Sequence, residues 1–379
     1  MRWTCLDFTP HRAVLIRASG CSVEFMKNRH FIFTLILLLL FASTASAQDE
    51  EVKLFPVTQN KKCGYIDRTG KIIIPLQFED TCYDFSEGLA SVALNGKRGF
   101  IDETGRVVIE PQFDLWSATR FSEGLAAISI DDKKGYVDKS GEVTLLPEFP
   151  SVFFSAEAFS EGLAVVEHND YSGPNYQRNS QVGYLNKDFK LVIPMKFKYA
   201  SPFSDGRAYV TDMNDISYYI DRNGQKIDYP PSGRWFLFVE GLATTELNGK
   251  EGYMNLKGEV VIPPRFDEAK RFSHGMAAVR VKNGWGFIDK TGRTVIRPQF
   301  DEVEDFGPDG IAAVGKAFKG DVYKYGFINR RGQIIIGFKF DYAGSFWGGL
   351  GEIGVRDTKG NDKWGYVDAS GKIIWTPSK

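Results

Sequence analysis

The sequence is poor in the residues on which hydrolases and metalloproteins depend. Its 379 residues include only four histidines and four cysteines, and no G-x-S-x-G, H-E-x-x-H, C-x-x-C or P-loop pattern occurs. A charge excess of one sign is also missing, because 47 Lys and Arg face 48 Asp and Glu. Nucleic-acid-binding proteins usually show a clear basic excess. We therefore expect no enzyme, no cofactor, no metal site and no nucleic-acid partner.

Long apolar runs are equally scarce, and the longest lies near the N-terminus. FIFTLILLLLF at 31–41 follows the basic segment Met26–His30 and precedes Ala45-Ser46-Ala47. Such a run is too short to cross about 30 Å of hydrocarbon as a helix. The order of basic, apolar and small residues predicts a secretory signal peptide. We expect residues 1–47 to be an N-terminal extension plus signal peptide, with translation starting at Met26 and cleavage after Ala47. The mature chain would then lie in the periplasm or outside the cell, with no transmembrane segment.

Two cysteines follow the expected cleavage site, Cys63 and Cys82. An even number in an oxidising compartment allows a disulfide. Two buried thiols are the alternative, and the sequence leaves both open.

The chain after residue 50 is a single tandem repeat. The segment GYIDRTG at 64–70 recurs in related form eight more times, usually after about 35 residues. The later copies begin at Gly99, Gly135, Gly183, Tyr218, Gly252, Gly286, Gly326 and Gly365. Two further landmarks keep the same phase: a β-branched run ending in Phe, such as IIIPLQF at 72–78, and FSEGLA-type segments, such as that at 85–90. This periodicity predicts one repeat array over 48–379 without an internal domain boundary.

Each period predicts three short antiparallel strands, so the fold class is all-β. Strand A (GLASVAL type) turns at dipeptides such as Asn95-Gly96, which suit a type I′ hairpin. Strand B is the GYID segment, and strand C is the β-branched run, interrupted by prolines such as Pro75 and Pro111. The first and last copies are in the same phase, so no strand is left over to stitch a ring. Nine units also exceed the usual 4–8 blades of a propeller. We therefore predict an open β-solenoid or superhelix, with a propeller-like ring as the alternative.

The repeat pattern, x-G-[YF]-I-D-x-x-G followed by I-P-x-x-F and F-S-E-G-L-A, resembles the WG-repeat family of bacterial proteins. The defining dipeptide survives as Trp285-Gly286 and Trp364-Gly365, whereas other copies have residues such as Cys63 or Arg98 at the Trp position. The resemblance covers nearly all of 52–376. It implies a β-rich repeat array, often exported, and no general enzymatic activity.

The charged repeat residues favour structure over chemistry. The Asp or Asn that follows each GYI segment, for example Asp67, could be a calcium ligand, but it suits a turn residue that bonds its own backbone. Glu87 and its equivalents recur in many copies, whereas catalysis needs one asymmetric site. His274 fills a repeat position, and His168 lies in a polar insertion. Trp116 and Trp347 lie beside repeat positions, where we expect them to pack.

The insertions are the most informative functional feature. The three long periods all lengthen at the A–B turn, at 168–180, 316–325 and 356–364. Insertions at one turn emerge on one edge of a repeat array, often the binding edge, although drift at a tolerant turn is the alternative. Tyr171, Tyr176 and Arg178 are the candidate partner-binding residues. The leading hypothesis is a non-catalytic, exported scaffold that binds a protein or peptide at the bacterial cell envelope. A glycan or cell-wall binding module is the alternative, since exposed aromatics can stack on sugar rings.

Overall fold

A computed structural model shows that Lys53–Lys379 forms one compact unit. The structure describes residues 53–79, 81–117, 120–146, 153–170, 179–228, 237–282, 284–318, 322–360 and 362–376. These residues form strands and turns without a helix, as the all-β prediction requires. Accordingly, no helix long and apolar enough to span a bilayer occurs among them. The predicted signal peptide and its cleavage site lie outside the described residues.

Thirty-one strands follow one another in antiparallel order, and we number the repeats 1 to 9 by their GYID segments. Repeats 1 to 3 contain β1 (Phe55–Gln59), β2 (Lys62–Ile66), β3 (Ile72–Glu79), β4 (Leu89–Leu94), β5 (Lys97–Asp102), β6 (Val107–Phe113), β7 (Leu125–Ile130), β8 (Lys133–Asp138) and β9 (Val143–Leu145). Repeats 4 to 6 contain β10 (Phe153–Ala156), β11 (Leu163–Asp170), β12 (Asn179–Asn186), β13 (Leu191–Ala200), β14 (Arg207–Asp212), β15 (Ser217–Asp221), β16 (Lys226–Ile227), β17 (Leu242–Leu247), β18 (Lys250–Asn255) and β19 (Val260–Phe266). Repeats 7 to 9 contain β20 (Glu268–Ser273), β21 (Met276–Val281), β22 (Gly284–Asp289), β23 (Thr294–Phe300), β24 (Glu302–Val303), β25 (Ile311–Phe318), β26 (Val322–Asn329), β27 (Ile334–Phe340), β28 (Tyr342–Trp347), β29 (Leu350–Arg356), β30 (Asp362–Asp368) and β31 (Ile373–Trp375).

The strands form seven hydrogen-bonded sheets, two of which, β1–β6 and β10–β16, each include two consecutive repeats. Repeats 4, 7, 8 and 9 each contain one strand more than the three that the sequence predicts. In these copies the residues between strand C and the FSEG-type turn form a fourth, leading strand, which pairs with strand A. The sequence did not reveal this strand because it is short and lacks a clear alternation of apolar and polar residues.

Two glycine-dependent features set the local geometry. Asn95 and Gly96 have φ of 53° and 74°, which confirms that both central residues of this turn are left-handed. The motif glycine of strand B lies against the backbone of strand C: a Cβ on Gly286 would be 2.4 Å from the Ile296 carbonyl oxygen. The pairing of β22 with β23 shifts register around this glycine, between Trp285 and Phe287. A side chain at this position would therefore force the two strands apart.

The prediction of an open solenoid is wrong, because the two ends of the array pack together in a propeller-like ring. Hydrophobic clusters lie between consecutive repeats, as where Tyr65 and Ile74 of repeat 1 meet Val92 of repeat 2. A cluster of the same kind joins Phe55 of repeat 1 to Leu350 of repeat 9. No stitching strand is needed, since the first and last repeats pack through a hydrophobic cluster, as consecutive repeats do.

The contact between the first and last repeats includes a hydrogen bond and a ring contact as well. The Tyr366 hydroxyl donates a hydrogen bond to the Pro56 carbonyl (3.1 Å), and the Phe55 and Tyr366 ring centroids are 5.5 Å apart. The hydrogen bond and the ring contact join residues at opposite ends of the repeat array, so the first and last repeats are neighbours in space.

The FSEG segments are two-residue hairpin turns that link each repeat to the next. Glu87 and Gly88 have φ of 53° and 84°, between the bridged residues Ser86 and Leu89. The Ser86 hydroxyl donates to the Phe121 carbonyl (2.7 Å), and the Glu87 carboxylate accepts from the Gly124 N–H (3.0 Å). Equivalent serine bonds start from Ser122, Ser160, Ser204 and Ser273. This motif therefore serves the ring itself.

Candidate binding site

The predicted partner-binding residues Tyr171, Tyr176 and Arg178 lie outside the described residues and stay a prediction. The strands that flank their insertion are described, and they extend the A–B hairpin. β11 and β12 pair from Leu163↔Asn186 to Asp170↔Asn179, whereas the uninserted β4–β5 hairpin ends two pairs sooner, at Leu94↔Lys97. The insertions thus lengthen a hairpin that is already present, at the edge where the A–B turns lie.

The other two insertions bring aromatic side chains to the surface of repeats 8 and 9. Phe318 and Tyr323, near the end of the β25–β26 hairpin, are 52% and 38% exposed. On repeat 9, Tyr342 is 38% and Trp364 is 47% exposed. We call Tyr323, Tyr325, Tyr342 and Trp364 the aromatic patch, since Tyr323 and Tyr325 share one face of β26, whereas Phe318 pairs with Val322 on the other face of the hairpin.

The rings of the aromatic patch contact one another across the two repeats. The Tyr325 and Tyr342 centroids are 6.3 Å apart, and those of Tyr342 and Trp364 are 4.7 Å apart in an edge-to-face arrangement. Edge-to-face pairs are a favoured geometry for aromatic rings. The patch is therefore one continuous surface. Exposed apolar surfaces of this kind often mark interaction sites.

Carboxylates lie beside the aromatic patch. The Tyr325 hydroxyl donates to the Glu302 carboxylate, and burial, this hydrogen bond and the Glu302 charge raise the pKa of Tyr325. Burial raises the pKa of Tyr342, as do the negative charges of Glu352 and Glu304. The carboxylates of Glu302, Glu304 and Glu352 therefore place negative charge beside the aromatic patch.

A cavity of about 1040 Å³ adjoins the aromatic patch through Trp364 and is lined by parts of repeats 1, 7, 8 and 9. Its walls include Trp347, Trp375, Glu304 and Glu352. Burial and the nearby Asp84 raise the pKa of Glu352. The lining also contains Arg271 and Lys363, which pair with Asp305 and Asp357.

The repeated acids have structural partners. Asp102 accepts hydrogen bonds from the Thr104 N–H (3.0 Å), the Thr104 hydroxyl (2.6 Å) and the Arg106 N–H (3.0 Å). This geometry supports the turn interpretation over the calcium ladder. Glu87 also contacts the Lys139 ammonium (3.0 Å). In the described part of the chain, no group of three or more His, Cys, Asp and Glu side chains could hold a metal ion.

The two histidines differ in their surroundings and do not meet. His274 Nδ1 lies 3.0 Å from the Phe306 carbonyl, within an FSEG-type turn. His168 lies on β11 and pairs with Gln181 of β12, in the extended hairpin of repeat 4. Both therefore belong to the repeat framework.

The structure joins Cys63 and Cys82 in a disulfide that closes a loop of 19 residues. Cys63 stands at the repeat position that Trp285 and Trp364 occupy in repeats 7 and 9. Both cysteines are buried. The bond therefore ties strand B of repeat 1 to the segment that leads into repeat 2.

The expected packing of Trp116 and Trp347 is half correct. Trp347 packs against Phe55, with centroids 6.1 Å apart, at the ring closure. Trp116 is 95% exposed, so it does not pack as we expected. Trp116 lies in the turn that follows strand C of repeat 2, and its side chain faces solvent.

Sequence reasoning missed the aromatic patch because its members look like ordinary repeat residues. Trp364 is half of the defining dipeptide, and Tyr342 follows a strand C phenylalanine. A signal was present in the neighbouring positions. Strand A of repeat 9 reads GLGEIGV, in which Gly354 replaces Arg280, the side chain that covers the equivalent tryptophan of repeat 7.

The family model described as WG containing repeat matches seven segments: 64–97, 99–133, 135–171, 183–214, 252–284, 285–316 and 325–353. Together they cover more than half of the chain. The chain belongs to the WG-repeat family. The resemblance seen in the sequence is thereby confirmed. A search of curated proteins gave no match to these WG repeats.

Several solved structures share a distant likeness with the WG-repeat array. BamB from Moraxella catarrhalis is 11% identical, with a TM-score of 0.37 over 70% of this chain and 93% of that one. A puromycin-hydrolyzing peptidase of Mycobacterium tuberculosis is 10% identical, with a TM-score of 0.37 over 86% and 54%. The WD40 domain of Toxoplasma gondii coronin is 13% identical, with a TM-score of 0.31 over 59% and 67%. Since all three TM-scores are below 0.5, they carry no argument about function.

Proposed function

We propose that the chain is a non-catalytic, exported scaffold that binds a protein or peptide partner at the bacterial cell envelope. The observation that carries this proposal is the aromatic patch on repeats 8 and 9. Exposed tyrosine and tryptophan side chains are enriched among the residues that dominate binding energy at interfaces. A closed ring of packed sheets provides the rigid support that such a surface needs.

Export is supported by two independent features. The sequence of residues 26–47 has the order of a signal peptide, and the Cys63–Cys82 disulfide suits an oxidising compartment. A non-catalytic role is supported by the repeated acids, which bond to turns and to neighbouring repeats. A unique arrangement of reacting groups would be expected of an enzyme.

Site-specific photo-crosslinking in the native cell tests the proposal. A photoreactive phenylalanine at position 323 should form an adduct with a protein, because the Tyr323 side chain that it replaces is 38% exposed at the edge of the aromatic patch. The matched control is Leu247, which is 62% exposed at the end of the β17–β18 hairpin, on a repeat without an insertion. Adduct formation at both positions, or at neither, would contradict a partner site on repeats 8 and 9.

The glycan alternative is tested with the same protein. Retention on peptidoglycan or polysaccharide that free sugar competes off, and that is lost with Trp364→Ala, would favour the glycan-binding module. Fractionation of the cells tests export separately, since the mature chain should appear in the periplasm or the medium.

A further inference from the structure

Repeat 7 holds a cation of its own beside an aromatic ring. Glu268, Arg280 and Trp285 are direct neighbours on the three adjacent strands β20, β21 and β22. The Arg280 guanidinium pairs with the Glu268 carboxylate and lies 5.9 Å from the centroid of the Trp285 ring. The Lys270 ammonium lies 5.5 Å from the same centroid. A cation between a carboxylate and an aromatic face is stabilised by both groups.

The same cross-strand row exists in repeats 8 and 9, but without the arginine. Glycine replaces it in both: the rows are Glu302–Gly315–Tyr325 and Tyr342–Gly354–Trp364. The position of Lys270 is also changed, since it corresponds to Glu304 in repeat 8 and Gly344 in repeat 9. Both rows therefore keep an aromatic ring and lose the two cations of repeat 7, and repeat 8 gains the acid Glu304.

The two rows lie side by side and form one surface. Tyr325 of one row contacts Tyr342 of the other, and the Glu304 carboxylate acts on both tyrosines. No described lysine or arginine lies over the Trp364 ring in the way that Arg280 lies over Trp285. The exposed fractions of the two tryptophans differ accordingly, since Trp285, which Arg280 covers, is 9% exposed and Trp364 is 47% exposed.

We propose that this surface binds a lysine or arginine side chain of the partner protein, held between the rings of Tyr342 and Trp364 and the carboxylates of Glu304 and Glu352. The inference rests on the proposed function, whose partner it specifies as basic. Charge complementarity favours this occupant, because the basic side chains nearby already have acidic partners, namely Arg356 with Asp362, Arg271 with Asp305 and Lys363 with Asp357. The repeat 7 row shows that the fold can hold a guanidinium in this place.

Fluorine NMR of the protein labelled with 5-fluorotryptophan tests the proposal directly. The Trp364 resonance is assigned by its loss in Trp364→Phe, and the probe is the peptide acetyl-Gly-Lys-Gly-amide. Titration should shift the Trp364 resonance, and the isosteric norleucine peptide should bind at least about ten-fold more weakly, because only the charge differs. The Trp116 resonance, assigned in the same way, is the internal control and should not move.

Two variants of the carboxylates sharpen the result. Glu304→Gln and Glu352→Gln keep the shape of the site, and each should weaken lysine-peptide binding about five-fold, the scale of a single exposed charge contact. Equal affinity for the lysine and norleucine peptides, or no shift of the Trp364 resonance, would overturn the proposal. If the cross-link at position 323 still formed in that event, the scaffold function would stand and only its basic partner would be wrong. If neither the cross-link nor the shift of the Trp364 resonance were observed, both the scaffold function and its basic partner would be contradicted.

Discussion

Trp285 and Trp364 occupy the same position in repeats 7 and 9, yet only one is covered. Trp285 is covered by Arg280 and Lys270, and it joins a hydrophobic cluster with Phe300 and Val303. Trp364 has Gly354 beside it on strand A and contacts Tyr342 edge-on. The motif residue is identical in the two copies. What differs is the residues on the neighbouring strands, so these neighbours decide whether the tryptophan is buried or faces solvent.

The comparison shows how a repeat protein can acquire a site without losing its fold. The bonds that join one repeat to the next involve the FSEG turns and the faces of the sheets. The side chains beside Trp364 add one ring contact between repeats, Tyr325 with Tyr342, and take no part in the FSEG bonds. Residues at these positions can therefore differ between repeats while the FSEG bonds stay the same.

The largest contrast is expected from removing each tryptophan. Trp285→Ala should lower the free energy of unfolding by about 3–5 kcal/mol, because it empties a buried site and leaves Arg280 without its ring. Trp364→Ala should lower it by less than about 1 kcal/mol, because nearly half of this side chain is already in water. Chemical denaturation of the two variants measures the difference. Equal losses would show that the two tryptophans have the same structural role.

In repeat 1 the position of these tryptophans is occupied by Cys63, which forms a disulfide with Cys82 instead of packing an aromatic ring. Changing Cys63 and Cys82 together to alanine should lower the free energy of unfolding by about 3 kcal/mol, the usual effect of opening a loop of this length. A reducing agent should destabilise the wild type by a similar amount and leave the double variant unchanged. A wild type that is indifferent to reductant would contradict a structural disulfide.

The next effect concerns the glycine that follows the tryptophan. In Gly286→Val, the new Cβ would lie 2.4 Å from the Ile296 carbonyl oxygen and 2.6 Å from the Pro298 nitrogen. We expect a loss of about 2 kcal/mol or more, as for other backbone and overpacking defects. Gly337→Val is the matched control, because a Cβ on this exposed strand glycine meets no atom within 4 Å. Similar thermal midpoints for the two variants would mean that the close approach at Gly286 is not required.

Much of the local structure could be predicted because each feature depends on a few adjacent residues. The Asn95-Gly96 turn, the three strands of a repeat and the close approach at Gly286 all follow from residue type and spacing. The leading strands did not follow, since segments such as Glu302–Val303 are short and gain their pairing from strand A of the same sheet. Ring closure did not follow either, because it depends on contacts between Phe55 and Tyr366 at opposite ends of the array.

The candidate site was hidden for a related reason. The aromatic patch is defined by cross-strand neighbours such as Gly354 and Trp364, which are paired only once the register of β29 and β30 is known. The sequence pointed to the A–B insertions as the binding edge, and that hypothesis stays a prediction. It could not show that the aromatic side chains of repeats 8 and 9 would meet in space.

The smallest effect concerns the turn aspartates, which repeats 7 and 9 share as Asp289 and Asp368. Hydrogen bonds from the Thr291 and Ser370 hydroxyls, respectively, lower the pKa values of these two carboxyls, and backbone N–H groups add to the effect. Asp102 and Asp138 are held in the same way by Thr104 and Ser140.

A depressed folded-state pKa means that each ionised aspartate stabilises the fold above its unfolded pKa, near 4, and that this contribution is lost as the pH falls through the folded value. The chain supplies the matched replacement, since Asn255 accepts the equivalent Lys257 and Glu259 N–H bonds without a titrating group. We expect the variant with asparagine at all four positions to match the wild type at pH 7 within about 0.5 kcal/mol. Its melting temperature should fall less steeply than that of the wild type between pH 5 and pH 3, where these carboxyls take up protons. Parallel melting curves over that range would show that acid destabilisation arises elsewhere, with the FSEG carboxylates Glu87 and Glu240, whose pKa values are also lowered, as the next groups to replace.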